Sequence, residues 1–255
     1  MIWVSSTMIT VENARRVLCE SNLRLKKHKP DFITKAPDAI AQKAGFYDWI
    51  QYYRTYMTSV EFLDPRQNDP TAKEMAEQFR AQHRPQDLDR QLVEYIYVNT
   101  ALKMLIGDLQ DLSILQLACN YGPYLHYLKN VENARVAGID LNRLAVDYAA
   151  EHGLEVRYGS AEMMPFGNAQ FDVVISINFL CPNYIVQSKI DLSKVLAETY
   201  RTLKPGGLFI SQLENFIHGT NGPIAPFKEA LRLPPEIEDL GSCMPDIRYF
   251  EKPIG

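Results

Sequence analysis

The sequence predicts an α/β domain, a doubly wound and mostly parallel sheet, preceded by a helical stretch. Three observations predict it. From residue 113 onward short apolar runs alternate with amphipathic segments, as strands do when right-handed helical crossovers connect them. Runs such as FDVVIS at 171–176 are apolar without alternation, the pattern of strands covered on both faces. Before residue 108 the segments with apolar patterning show helical spacing of three to four residues, with no clear strand. The chain divides accordingly into a helical cap or lid, residues 1–108, and a sheet domain, residues 109–255.

In order, residues 10–22 read as a helix with Val11, Ala14, Val17 and Leu18 on one face, followed by a short basic connector at 24–29. Residues 46–60, FYDWIQYYRTYMTSV, form the most aromatic segment. Phe46, Trp49, Ile50, Tyr53, Met57 and Val60 make a helical stripe, with Tyr52 at its edge and Tyr47 off it. A turn-rich link leads to a helix over 72–83, and a long amphipathic helix runs from Asp87 until Gly107 ends it.

The sheet begins with SILQL at 113–117, whose apolar run stops at the turn signals of Asn120 to Pro123. Gly122 can adopt positive φ and lets a ligand approach the backbone where the next helix exposes unpaired N–H groups. Strands follow over 134–139, 154–158, 171–177 and 207–213, with helices over 144–152 and 192–203 between them. Pro205-Gly206-Gly207 is read as the break before the fifth strand. In the turn-rich tail only 247–251 reads as a strand, so an abbreviated or irregular ending is expected.

Composition narrows the function. With 255 residues and 46% hydrophobic content the chain can bury a full core. A net charge of −4 offers no footprint for a polyphosphate backbone, so nucleic acid is not expected as a partner. No apolar run is long enough to span a bilayer, and Glu12 interrupts the first short one, so neither a membrane nor a leader is expected. Cys19, Cys119, Cys181 and Cys243 lack CxxC spacing and the five histidines lack ligand spacing, so reduced thiols, no metal and a cytoplasmic location are expected.

The run SILQLACNYGPYLHYL, 113–128, resembles the first motif of class I S-adenosylmethionine-dependent methyltransferases, an aliphatic strand, an acid and a Gly-Cys-Gly-x-Gly turn. Cys119 and Gly122 fit. Gln116 stands in place of the acid, and Ala118 and Asn120 in place of glycines. Asp140, eighteen positions past Gly122 at the end of AGID, sits where a carboxylate can accept both hydrogen bonds of a ribose diol, the other reading being an acid that caps the following helix beside Asn142. GSAEMMPFGNAQFDVVIS, 159–176, is similar to the family's adenine-covering loop and fourth strand, with Ser160 where an Asp is common. LKPGGLFI, 203–210, matches its helix-to-strand turn.

The resemblance implies a Rossmann-like sheet with a helical N-terminal lid, S-adenosylmethionine as cofactor, no metal, and S-adenosylhomocysteine as product. The expected reaction is methyl transfer to a small molecule in an enclosed pocket. Because of the departures at Gln116, Ala118, Asn120 and Ser160, two alternatives stand beside it. One is intramolecular cyclisation of the cofactor, as azetidine-2-carboxylate synthases perform, releasing methylthioadenosine. The other is a non-catalytic nucleotide-binding relative. The expected cofactor contacts are Tyr47, Tyr53, Gln116, Ala118, Asn120, Gly122, Asp140, Leu141, Ser160, Ala161, Glu162 and Ser176. Tyr52, Asn178 and Tyr184 are the expected catalytic residues, with tyrosine faces set against the sulfonium. Oligomeric state is left open.

Overall fold

The computed structural model describes residues 87–177, 179–180, 190–212, 227–231 and 247–254, together with positions 16, 17, 19–21, 23, 24, 39, 42 and 43. The aromatic helix expected over 46–60 and the helix expected over 72–83 lie outside them. So do Tyr47, Tyr52, Tyr53, Asn178 and Tyr184.

Seven strands form one sheet in the order β3-β2-β1-β4-β5-β7-β6. β1 is Ser113–Leu117, β2 Arg135–Asp140, β3 Glu155–Tyr158, β4 Phe171–Ser176, β5 Leu203–Gln212, β6 Lys228–Leu231 and β7 Ile247–Glu251. β1 to β5 pair in parallel, and β7 then runs antiparallel to both β5 and β6. The helices are α1 (Asp87–Leu105), α2 (Pro123–Asn130), α3 (Arg143–Glu151) and α4 (Leu192–Thr202). Strand order reverses between β1 and β4, the position at which sheets of this kind bind ligands beyond the carboxyl ends of the strands.

Parity along the strands sorts the core. Ile114, Val173, Ile175, Leu208 and Ile210 pack against Tyr95, Leu102 and Leu105 of α1, Tyr124 and Leu128 of α2, and Val17. On the opposite face Leu115, Leu117, Val174 and Phe209 meet Val195 and Leu196 of α4 with Phe227 and Phe250. That division is what right-handed crossovers impose. The link from β1 to β2 and the link from β4 to β5 run outward in opposite directions, so their helices cover opposite faces.

Two expectations are corrected. The ending is not abbreviated, because β6 and β7 complete the sheet as a reversed pair. β6 reads KEAL, with two charged residues and no β-branched one, so neither propensity nor alternation marks it; its pairing with β7 makes it a strand. The break at Pro205-Gly206-Gly207 also falls inside β5 rather than before it. Leu203 pairs with Phe171, the register shifts, and pairing resumes at Leu208 opposite Val173. Gly206 takes φ +72° in this bulge, and a Cβ on Gly207 would stand 2.9 Å from the Lys204 carbonyl and 3.0 Å from that of Asp172.

A buried polar network joins the N-terminal helical residues to the domain. Asn99 on α1 donates to Ser21 at 3.3 Å and accepts from Tyr124 at 3.3 Å. Tyr127 donates to Glu132 at 2.6 Å, and Glu132 pairs with Lys103 at 2.6 Å and Arg24 at 3.6 Å. Tyr95, Tyr124 and Tyr127 stack in series with centroids 5.1 and 6.2 Å apart. Lys43 pairs with Glu151 at the end of α3. Glu132→Gln retains an acceptor for Tyr127 but removes the charge opposite Lys103. Because Lys103 is partly exposed, the expected loss is about 1–2 kcal/mol in urea denaturation, below the value for a fully buried pair.

Candidate active site

The turn after β1 has a regular handedness. Ala118, Asn120 and Gly122 take φ of 48°, 52° and 73°, so left-handed residues recur at every second position. Two of these positions carry side chains, yet the backbone keeps the shape that glycine would give. A left-handed alanine costs roughly 1–2 kcal/mol, and the extra unfolded freedom of glycine offsets roughly 0.5–1 kcal/mol of any relief. Ala118→Gly is therefore expected to stabilise the protein by about 0.5–1 kcal/mol, read as a rise in melting temperature.

At the C-terminal end of the turn, Gly122 caps α2 and a Cβ there would stand 2.8 Å from Leu154 Cδ1. On β2, Gly138 leaves room for the turn itself, since its Cβ would lie 2.5 Å from Cys119 Sγ and 2.7 Å from Leu125 Cδ1. Cys119 is buried, and burial first, then the neighbouring Asp140 charge, pushes its thiol well above the usual range.

Asp140 fastens two turns together. Its Oδ2 accepts the Asn120 N–H at 2.7 Å and its Oδ1 accepts the Asn142 N–H at 2.7 Å. The cap of α3 is Asn142, whose side chain accepts from the Ala145 N–H at 3.2 Å, so the carboxylate is not the helix cap. A carboxylate offers about four acceptor positions, which leaves capacity for a diol. Burial pushes the Asp140 carboxyl above its usual range, against the pull of the Asn142, Asn120 and Leu141 N–H groups.

Leu141 follows at the tip of β2 with 41% of its surface exposed, and Met163 beyond β3 is 80% exposed. The loop after β3 that carries Met163 is held by side-chain hydrogen bonds. Ser160 exchanges bonds with Glu162, donating its hydroxyl at 3.3 Å and accepting the Glu162 N–H at 3.1 Å. Glu162 also accepts the Asp191 N–H at 2.8 Å, while Ala161 is buried in the core. Glu198 accepts the Met164 N–H at 2.7 Å, and Arg201 donates to the Phe166 and Met164 carbonyls. The Arg201 guanidinium holds the Glu198 carboxyl below its usual range, with burial acting against it.

The structure thus brings Gln116, Ala118, Asn120, Gly122, Asp140, Leu141, Ser160, Ala161 and Glu162 to the tips of β1, β2 and β3 and the loops that follow them. Ser176 lies on the other side of β1, at the end of β4. Several buried polar atoms around these tips have no hydrogen-bond partner among the described residues: Gln116 Oε1, Asn120 Oδ1, Ser176 Oγ and Ser211 Oγ. Sequence reasoning missed Ser211 and Met163. The signal for Ser211 was present, since β4 and β5 both carry an Ile-Ser pair near their carboxyl ends, at 175–176 and 210–211. Among the described residues no group of three His, Cys, Asp or Glu is placed to hold a metal ion, and no helix is long and apolar enough to cross a membrane.

Residues 115–211 match the family described as a methyltransferase domain. The chain is 30% identical over 121 residues to the phthiotriol/phenolphthiotriol dimycocerosates methyltransferase of Mycobacterium tuberculosis, covering 45% of this chain and 41% of that protein. It is 32% identical over 111 residues to the demethylmenaquinone methyltransferase of Lactococcus lactis, covering 40% and 42% respectively. With the fatty-acid O-methyltransferase of Mycolicibacterium smegmatis it shares 28% identity over 131 residues, 49% of this chain and 43% of the relative. The chain therefore spans about two fifths of the length of these relatives. The matched stretch contains the parallel strands and the left-handed turn described above, and over it the chain is similar to methyltransferase domains.

Proposed function

We propose that this protein is a small-molecule methyltransferase that binds S-adenosylmethionine across the tips of β1 and β2. The observation that carries the reading is the placement of Asp140, a carboxylate fastened between two turns at the tip of β2, one strand from the point where strand order reverses. Its remaining lone pairs accept the two ribose hydroxyls. Leu141 and Met163 supply apolar surface for the adenine, beside the ring-edge groups of Ser160 and Ala161. The left-handed turn at 118–122 and the start of α2 lie under the methionyl portion, where Gln116 and Asn120 bring acceptor oxygens that lack partners among the described residues.

Bound there, the cofactor supplies a methyl carbon made electrophilic by the adjacent positive sulfur. The chain's task is to hold an acceptor in line with that carbon and to exclude water. Tyr47, Tyr52, Tyr53, Asn178 and Tyr184 stay the proposed contributors to that side, from segments outside the described residues. The relatives are methyltransferases of phthiotriol/phenolphthiotriol dimycocerosates, demethylmenaquinone and a fatty acid, which favours a small organic acceptor.

Titration with S-adenosylhomocysteine tests the cofactor half, and absence of binding would sink it. Incubation with S-adenosylmethionine tests the chemistry. S-adenosylhomocysteine formed only with an added acceptor is the expected result. Methylthioadenosine formed above the spontaneous background without acceptor would replace methyl transfer by cyclisation.

A further inference from the structure

Ser176 and Ser211 are direct partners in the β4–β5 ladder, at the carboxyl ends of the two strands. Parallel neighbours in register point to the same face, so the two hydroxyls stand side by side at roughly the 4.8 Å spacing of adjacent strands. Ser176 is 1% exposed and Ser211 0%, and neither Oγ has a hydrogen-bond partner among the described residues. On the β1 and β4 side the face is apolar, since Val174 and Phe209 lie one step back along the strands and Leu117 on β1 pairs with Ser176, while on the β7 side Ser211 has Arg248 as its antiparallel partner.

Two buried hydroxyls without partners are a standing penalty that alanine would remove. Their position gives them a use. If the ribose lies at β2, the cofactor crosses β1 and its reactive end faces β4 and β5, where the serines sit. We infer that Ser176 and Ser211 form the polar seat of the methyl acceptor and receive a neutral oxygen, hydroxyl or carbonyl, of an otherwise apolar molecule. The assignment rests on the proposed methyl-transfer function and reassigns Ser176 from cofactor to acceptor. Serine hydroxyls both donate and accept, so they fit an alcohol or a ketone oxygen. Burying an ammonium there would leave its charge uncompensated.

The test compares wild type with Ser176→Ala, Ser211→Ala and the double variant. Ser176→Cys serves as a nearly isosteric form with a much weaker donor. Melting temperature without ligand should stay level or rise, because no partner is lost; a fall of several degrees in every variant would assign the serines a structural role and overturn the inference. S-adenosylhomocysteine affinity should stay within about twofold of wild type, which keeps this test separate from the cofactor reading. If wild type takes no S-adenosylhomocysteine, it is that reading which fails.

On the S-adenosylhomocysteine-loaded protein, 1-hexanol and 2-hexanone should bind and hexylamine should not, measured by ligand-observed NMR. Each single alanine variant should weaken both oxygen probes about fivefold, the effect of one neutral hydrogen bond. Equal binding of the probes by wild type and double variant would overturn the inference. So would hexylamine binding as well as hexanol, or wild type ignoring both oxygen probes.

Discussion

Gly138→Val is expected to destabilise the protein by about 3 kcal/mol, the upper part of the range for overpacking a filled core. For a chain of this size that is a fall of roughly 6–12 °C in melting temperature. The contacts are specific: a Cβ at 138 would stand 2.5 Å from Cys119 Sγ and 2.7 Å from Leu125 Cδ1. Cys119 and Leu125 are buried at 2% and 0% exposure and have nowhere to retreat. Cys119 belongs to the turn that carries Ala118 and Asn120, so the displaced sulfur should also weaken nucleotide binding. Gly167→Ala is the control, because its Cβ would meet nothing closer than Gln170 Oε1 at 3.6 Å. Removing the sulfur should return part of the loss, so Gly138→Ala combined with Cys119→Ala should cost less than the sum of the two. Strict additivity would show that the Cys119 contact is not the cause.

Asp140→Ala should lower affinity for S-adenosylhomocysteine about a hundredfold, near 2.7 kcal/mol, as expected for losing hydrogen bonds to a charged acceptor. Asp140→Asn should fall between, since one amide oxygen can still accept while the NH₂ meets either the Asn120 or the Asn142 N–H. Calorimetric titration of the three proteins gives the order, and equal affinities would remove Asp140 from the site. Acidity acts through the same carboxyl. Its folded value is raised, first by burial, so protonation contributes stability to the ligand-free protein below the unfolded value, and that contribution is lost as pH rises through the folded value. In the proposed site the ribose is held by the carboxylate form, so its uptake should weaken as pH falls through the folded value. The Asn variant should lose both dependences.

The parallel half of the sheet was legible because its strands are apolar without alternation and the intervening helices are amphipathic. Ser113–Leu117 and Phe171–Ser176 announce themselves in this way. Lys228–Leu231 does not, because nothing local marks it and a long-range partner makes it a strand. Pro205-Gly206-Gly207 misled for the opposite reason. Its local grammar is that of a break, and only the register shift opposite Phe171 and Val173 absorbs it into the sheet. The place of Asp140 at the end of β2 was legible from spacing, and its cap alternative is answered by Asn142. For Ser211 the repeated Ile-Ser pair was the one signal in the sequence, and its meaning depends on which residue stands beside it across the two strands.

The Asn120–Asp140–Asn142 fastening has a kinetic consequence. The loop is already in its receptive shape, with its left-handed residues set, before any nucleotide arrives. Little backbone entropy then remains to be lost on uptake. Stopped-flow mixing should accordingly resolve a single concentration-dependent phase, with no slower unimolecular step behind it.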